Sequence, residues 1–465
     1  MTYRRKVLSL IATVSVAQLH GCATNNSQIK TLNEHEIMAQ EKIVEQARQH
    51  FYCGQYDQAI PLIEPLCEER TISQPLYLCE LGTYHLARNE KAAAKEYLME
   101  AYVSIEDFFD PTSEQKAISL WGAEAEKVYK GDPYEQATLS LLLGLLLLEE
   151  GNIDNALACF KNGQIADSDV ESDAFRTDYG LLQFLEAQCH RMRGEQIEYD
   201  QLMSRSVESF AKTHPLAFEK RQIIAAKDSG STSDEQEIEQ LRASLAEAES
   251  LINQQYLPYQ QPLTQAHNTL LLIWMGRSPV MDRIGQYGEQ RVVVKTPTEE
   301  CHFEVQLDGT SWHDVIRGFA DIQYQATTRG GRAMDNVLAD QATFKRTASE
   351  MGNAFFDAAG DTADPNLALA LLFMGAVSHG ISAATNVQAD TRCWKTLPEH
   401  IAVLPLQLTP GLHSVRIDCY DSCLNLNRSV DYEIVANDSD FQFFSLVIPT
   451  IGCSELNAVE SHLSQ

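Results

Sequence analysis

Small residues recur along the first half of the chain in a spacing that is typical of helices packed in pairs. Between Ile43 and Ser206, four stretches each carry a small residue on one helix, a turn, and then alanine or bulky apolar residues on a second helix. The small residues are Ala47, Gly82, Gly144 and Ala187. Small side chains let two helices approach closely, and a repeat of this length is one helical hairpin that buries its apolar face against its neighbours. The pattern therefore predicts an α-solenoid.

The spacing resembles the tetratricopeptide repeat (TPR), a helical hairpin with a period of 34 residues. The third stretch shows the resemblance most fully, with Gly144 on the first helix, Gly151 in the turn, and Ala156 and Phe160 on the second helix. Solenoids of this kind carry concave surfaces that bind other protein chains. The resemblance therefore implies a groove for peptides or proteins.

The period breaks over residues 108–130, between the second and third stretches, and a new helix is expected directly afterwards. The sequence there is Asp132-Pro133-Tyr134-Glu135. Asp132 is a typical capping residue, proline fits the first helical position, and Glu135 is spaced to bond back to the cap. We therefore predict that a helix begins at this point.

The N-terminus has the features of a secretory signal peptide. The basic residues Arg4, Arg5 and Lys6 precede an apolar run, residues 7–19, which is too short to span a bilayer comfortably. We therefore expect residues 1–21 to be removed on export.

Cys22 ends a short motif, Leu19-His20-Gly21-Cys22, that resembles the lipobox of bacterial lipoproteins, although His20 stands where a small residue is usual. The resemblance implies cleavage before Cys22 and a lipid on its thiol, and three acyl chains hold a protein on a membrane far better than one. Ala23, which is not an aspartate, favours the outer membrane by analogy with enteric bacteria. The alternative is a plain secretory signal followed by an unmodified cysteine.

The charge balance excludes two classes of function. The 465 residues include 36 Lys and Arg against 65 Asp and Glu, a net charge of −29. Such a chain repels nucleic-acid phosphates and anionic lipids, so general nucleic-acid binding and adhesion through a basic patch are excluded. It steers basic partners towards itself. The longest other apolar runs, residues 139–148 and 367–377, have about half of the ~20 residues that a membrane-spanning helix needs, and they predict buried helices.

The second half of the chain predicts a different kind of structure. A polar linker, residues 227–233, precedes a helix over residues 234–253, and strand-like alternation then begins. The predicted strands are residues 269–274, 290–295, 302–307, 401–408, 412–419, 431–435 and 442–448. Helices over residues 335–356 and 364–385 interrupt them. The fold class is therefore α+β, an N-terminal α-solenoid of TPR-like helical hairpins followed by a β-sandwich-like module with inserted helices.

The expected domains follow from these patterns. Residues 1–21 form the signal peptide, and residues 22–33 form the lipidated cysteine and a tether. Residues 34–226 form the TPR-like helical domain. Residues 227–268 form a linker and a helix, and residues 269–465 form a mixed C-terminal domain.

Three segments together resemble a family of TPR-containing bacterial lipoproteins of unknown function. They are Lys130-Gly131-Asp132-Pro133-Tyr134-Glu135, Ala389-Asp390-Thr391-Arg392-Cys393-Trp394-Lys395-Thr396-Leu397-Pro398 and Pro410-Gly411-Leu412-His413. The resemblance covers the chain from Trp121 to Ile448. It implies a role in cell-wall or envelope assembly and supplies no catalytic residues.

The sequence contains no nucleophile elbow, zinc-protease motif, P-loop or dinucleotide-binding motif. We therefore expect no enzymatic activity and no cofactor. One weak metal candidate has the spacing of a calcium-binding loop, although Ser172 stands where such a loop needs glycine. Its residues are Asp167, Asp169, Glu171, Asp173 and Asp178. The alternative is a solvated acidic loop.

Eleven cysteines are present, and lipidation of Cys22 would leave ten. An exported chain meets an oxidising compartment, so disulfides are allowed. Cys419 with Cys423 and Cys393 with Cys453 are candidate pairs, and the connectivity stays open.

The strongest candidate for a partner contact is the loop that carries Asp390, Arg392, Trp394 and His400, because it joins charged and aromatic side chains where function tends to concentrate. The alternative is a structural clamp, in which Asp390 pairs with Arg392 and Trp394 covers the edge of the core.

The function that the sequence favours is a lipid-anchored periplasmic scaffold on the outer membrane. Its TPR groove would bind other envelope proteins or peptides, and the lipid would be its contact with the membrane. Two alternatives stay open. One is an envelope enzyme that acts on glycan or peptide through Asp390, Glu399 or His400. The other is a secretion or assembly component that oligomerises through the helix of residues 367–385.

Overall fold

The structure is a computed structural model, and the parts of the chain that it describes are residues 29–107, 128–167, 179–213, 239–248, 250, 268–284, 290–296, 300, 302–312, 316–328, 389–421, 423–439 and 441–449. Within these residues, no helix is both long enough and apolar enough to cross a membrane.

The N-terminal part of the chain forms helical hairpins, as the repeated small residues predict. The hairpins are α1 (Glu34–Tyr52) with α2 (Tyr56–Glu68), α3 (Gln74–Ala87) with α4 (Lys91–Asp107), α5 (Pro133–Glu149) with α6 (Ile153–Asp167), and α7 (Gly180–Met192) with α8 (Gln196–Thr213). In each turn the middle residue adopts a positive φ, between 62° and 76°. Glycine takes this conformation at no steric cost, which explains Gly54, Gly151 and Gly194. Asn89 takes the same place in the second hairpin.

The predicted small residues lie where two helices touch. A Cβ atom added to Gly82 would lie 2.6 Å from the side chain of Leu98, and one added to Gly144 would lie 2.4 Å from the ring of Phe160. The predicted helix start is also confirmed, because Asp132 caps α5 and its backbone N–H donates to Glu135 Oε2 at 2.5 Å.

From residue 268 onward, the described residues form two four-stranded sheets, a hairpin and a short helix. The strands are β1 (Thr269–Gly276), β2 (Val280–Ile284), β3 (Gln290–Val294), β4 (His302–Leu307), β5 (Thr310–Trp312), β6 (Ile316–Asp321), β7 (His400–Leu406), β8 (Gly411–Tyr420), β9 (Leu426–Ala436) and β10 (Gln442–Pro449), and the helix is α9 (Ile322–Thr328). The inner sheet has the order β10-β1-β7-β6, and the outer sheet has the order β5-β4-β8-β9. β1 pairs in parallel with β10 and antiparallel with β7.

The inner sheet lies between the outer sheet and the helices. Every residue of β1 is buried, which requires cover on both faces. Leu271 and Ile273 pack against the outer sheet, whereas Leu270, Leu272 and Trp274 belong to the apolar core that the sheet shares with the helices. The chain therefore has the α+β architecture that the sequence predicts, a helical solenoid followed by a sandwich-like pair of sheets.

Several predictions concern residues that the structure does not describe. The linker of residues 227–233 and the inserted helices of residues 335–356 and 364–385 lie outside the described part. Residues 239–248 are helical, as expected. The domain boundaries stay a prediction.

Cys419 and Cys423, a candidate pair, are not joined by a disulfide. Cys419 is buried and Cys423 is exposed. Burial raises the pKa of the Cys393 thiol to about 12. Its candidate partner Cys453 lies outside the described residues.

The turn between β4 and β5 is tied to the turn before β8 by one histidine. His413 Nδ1 lies 2.7 Å from Asp308 Oδ2, and its Nε2 lies 2.7 Å from the backbone oxygen of Thr409. Both neighbours accept hydrogen bonds, so the protonated ring satisfies both at once. The Thr409 carbonyl and then Asp308 raise the pKa of His413, and His413 and then the Ser414 N–H lower the pKa of Asp308.

Replacing Gly144 by alanine tests the close approach of α5 and α6. Gly→Ala normally stabilises a helix interior by about 1 kcal/mol. Here the added methyl overlaps the Phe160 ring, so we expect the free energy of unfolding in urea to fall by about 1–3 kcal/mol. The same substitution in a Phe160→Leu background should cost less. A rise in stability in both backgrounds would contradict the close approach.

His413→Gln tests the tie between the turns. A raised histidine pKa stabilises the fold fully below the ordinary value of about 6.5, and that stabilisation disappears as pH rises through the folded value. We therefore expect the difference in unfolding free energy between wild type and His413→Gln to shrink above about pH 6.5. It should also shrink below about pH 3.9, as Asp308 becomes protonated. The exposed His35→Gln variant is the control, and an equal pH trend in both variants would argue against the tie.

Candidate partner-binding groove

The inner face of the helical hairpins is largely covered by the chain itself. Nearly every residue of α3, α5 and α7 is buried, because the second helix of each hairpin covers one side and the C-terminal part covers the other. β10 contacts α3 and α5, and β6 contacts α7 and α8. Residues 389–399, which we call the docked loop, complete this cover.

Trp394 is the centre of the docked loop and is 1% exposed. Its Nε1–H donates to Thr83 Oγ1 on α3 at 3.0 Å and to Thr396 Oγ1 at 3.1 Å. Its backbone N–H donates to Glu135 Oε1 on α5 at 2.5 Å. Burial and then the nearby Asp132 carboxylate raise the pKa of Glu135. One residue of the loop thus binds two hairpins.

Arg392 holds the loop to the start of α3. Its Nη1 donates to the backbone oxygen of Ile72 at 3.3 Å and to Ser73 Oγ at 3.2 Å. Its Nε and Nη2 donate to the two carboxylate oxygens of Asp390, at 2.7–3.1 Å. The pairing of Asp390 with Arg392 and the burial of Trp394 match the structural clamp that the sequence left open.

α1 also binds the docked loop. The Tyr52 hydroxyl donates to the backbone oxygen of Lys395. The guanidinium of Arg277 lies 3.9 Å from the centre of the Tyr52 ring, within the range of a cation–π contact. Helical side chains therefore bind main-chain oxygens and N–H groups of an irregular segment here.

A buried ion pair joins β3 to the cap of α5. Arg291 Nη1 donates to Asp132 Oδ1 at 2.8 Å, and its Nη2 donates to Asp132 Oδ2. The side chains are 6% and 3% exposed. Sequence reasoning identified Asp132 as a cap and missed Arg291, because no local pattern relates two residues that are 159 positions apart.

The four predicted partner-contact residues do not all lie together. Asp390, Arg392 and Trp394 share the docked loop, whereas His400 lies on β7, 3.4 Å from Glu399. The described contacts of the first three are to the protein's own chain, and a partner contact at this loop stays a prediction.

The residues proposed for an enzyme are divided in the same way. Glu399 and His400 are neighbours beside Lys295, whose Nζ lies 2.8 Å from Glu399 Oε1, whereas Asp390 is paired with Arg392. Burial opposes ionisation of Glu399, but His400 and Lys295 outweigh it and lower its pKa to about 2. Burial likewise opposes the charged His400, yet Glu399 and Asp321 raise its pKa. A carboxyl group with so low a pKa is a poor general acid or base near neutral pH.

The calcium candidate is described at one residue only. Asp167 ends α6, is fully buried, and its Oδ2 accepts from the Tyr179 N–H at 3.3 Å. The other four candidate residues lie outside the described part of the chain, so this alternative stays a prediction. Among the described residues, no three His, Cys, Asp or Glu side chains form a group that could hold a metal ion.

One end of the inner face is not filled by the docked loop. A cavity of about 820 Å³, which we call the open cavity, lies between α1, the start of α3, Arg283 of β2 and the docked loop. Val44 and Leu76 provide apolar lining, and Gln40 and a row of glutamates on α1 provide polar lining. Sequence reasoning predicted a groove and could not show which part of it stays open.

No protein-family model matches the sequence, and no curated protein matches it. Among solved structures, the crystal structure of MamA protein matches 48% of this chain and 96% of its own, with 12% sequence identity and a TM-score of 0.27.

Arg291→Met tests the buried ion pair between the two halves. Removing one partner leaves the buried Asp132 carboxylate without its counter-charge, so we expect the free energy of unfolding in urea to fall by about 3–5 kcal/mol. Arg193→Met removes the exposed partner of Asp154 and should cost less than about 1 kcal/mol. Equal losses of unfolding free energy in the two variants would contradict a buried ion pair between Arg291 and Asp132.

Proposed function

We propose that this protein is a non-enzymatic scaffold that binds a segment of another protein in the open cavity. The observation that carries the proposal is the division of the inner face. The docked loop fills it beside α3 and α5, and a cavity of about 820 Å³ remains beside α1. Ligand sites in proteins commonly have volumes of about 300–1,000 Å³.

The docked loop supports a peptide as the ligand. Tyr52 and Glu135 already bind main-chain groups of this irregular segment, at Lys395 and Trp394. The inner face of the hairpins thus has the chemistry to hold an extended chain. Helical solenoids use such faces to bind proteins.

We further propose that Cys22 carries a lipid and holds the cavity close to the outer membrane, on its periplasmic side. Lys30 lines the cavity, and its backbone N–H donates to the Arg70 oxygen at 2.8 Å. The eight residue-to-residue steps from Cys22 to Lys30 span at most about 29 Å when fully extended. The ligands proposed here are therefore other envelope proteins, with a role in envelope or cell-wall assembly.

Site-specific photo-crosslinking in intact cells tests this function. A photoreactive amino acid replaces Ile37, which lines the cavity and is 37% exposed, or Val103 of α4, which is 49% exposed and lies outside the cavity lining. We expect a discrete protein adduct from position 37 and none from position 103. The adduct should weaken with Cys22→Ser, because the protein would leave the membrane.

Two results would count against the proposal. Adducts of equal yield from both positions would indicate non-specific contact, and no adduct from position 37 would leave the cavity without a protein ligand. An unchanged membrane fraction of the Cys22→Ser protein would contradict the lipid anchor alone.

A further inference from the structure

Gln40 presents an amide to the open cavity that no other side chain or main-chain group of the described residues binds. It lines the open cavity and is only 9% exposed, and its side chain forms no hydrogen bond to any residue in the described part of the chain. Its amide atoms are not among the fully buried unpaired atoms, so they stay accessible from the cavity and free to bind a ligand there. A glutamine amide offers an acceptor and two donors side by side, and a peptide group offers the complementary N–H and C=O.

A row of carboxylates lies along the same helix. Glu34, Glu41 and Glu45 all line the cavity, and spacings of seven and four residues bring them to one face of α1. Glu45 is shared with Arg48 and Lys395, at 3.3 and 3.7 Å.

Four of the five cations that line the cavity lie beside a carboxylate. Lys30 lies 2.8 Å from Glu69, Arg48 is bound to the buried Glu80, and Arg392 is bound to Asp390. Lys395 lies 3.7 Å from Glu45, and Arg283 is the fifth cation of the lining. In contrast, Glu34 and Glu41 form no ion pair or hydrogen bond within the described residues, so the cavity presents unneutralised negative charge.

We propose that the open cavity binds an extended, basic peptide segment, with Gln40 hydrogen-bonded to its main chain and Glu34 and Glu41 facing its Lys or Arg side chains. This inference rests on the proposed function and names the chemistry of the ligand. Val44 and Leu76 offer apolar surface to the aliphatic stems of those side chains. The net charge of −29 steers a basic segment towards the site.

The thermal stability of a Gln40 variant distinguishes a ligand-binding role from a structural role. Gln40→Leu removes the amide and keeps the volume, so the midpoint of thermal unfolding should stay unchanged or rise. The control is Gln183→Leu, which removes a buried amide whose Oε1 accepts from Ser209 Oγ at 2.9 Å. We expect that variant to melt at a lower temperature.

The ligand class is tested by selecting random peptides displayed on phage against the full-length protein purified in detergent. We expect the selected peptides to be enriched in Lys and Arg. Their affinity should fall about fivefold with Gln40→Leu. Each of Glu34→Gln and Glu41→Gln should reduce it about threefold and the double variant about tenfold, with less effect at high salt. Glu198→Gln on α8 is the control and should change nothing.

Other results of these experiments would contradict the inference, the proposed function or the role of Gln40. Peptides without basic enrichment that are still blocked by Thr391→Trp, a bulky change in the cavity lining, would overturn the inference and leave the proposed function standing. Peptides that Thr391→Trp does not block, or no selected peptide at all, would overturn both. A loss of stability in Gln40→Leu equal to that of Gln183→Leu would overturn the role of Gln40.

Discussion

The indole of Trp394 lies between the helices and the sheets, and the packing of both halves depends on it. The indole N–H donates to Thr83 on α3. The backbone N–H of Trp394 donates to Glu135, the residue that also completes the cap of α5. A helix at a protein surface keeps one polar face, whereas α3 and α5 are buried on all sides. These helices therefore require the cover that the docked loop and the inner sheet provide, and one continuous apolar core spans both halves.

What the sequence predicts well is local. The hairpins follow from small residues and turns within a few dozen positions, and the start of α5 follows from a cap only three residues long. The sequence also predicts, as one alternative, that Asp390 pairs with Arg392, because the two residues are only two positions apart. The contact of Trp394 with Thr83 joins positions 311 apart, and no periodicity carries that information. Gln40 has the sequence context of an exposed helical residue, and the docked loop contributes to the cavity that it lines.

The docked loop covers one part of the inner face and leaves another part uncovered. Beside α3 and α5 the hydrogen-bonding groups of the helices are satisfied from within the chain. Beside α1 the same face retains an amide and carboxylates that nothing in the described chain satisfies. The docked loop thus divides this helical surface into a covered part and the open cavity, and Arg392 and Tyr52 hold the loop that forms one wall of the cavity.

The parallel pairing of β1 with β10 has a consequence for how the protein is made. β10 is the last described strand, and it is also the strand that contacts α3 and α5. A chain that emerges N-terminus first must therefore reach residue 449 before its most apolar helices are covered. Until then a large apolar surface is exposed and prone to aggregation. Burying it requires a contact between residues far apart in the sequence, and such contacts slow folding. An incomplete chain therefore exposes this apolar surface until β10 is made, and we expect loss of β10 to be more damaging than loss of an equally long surface segment.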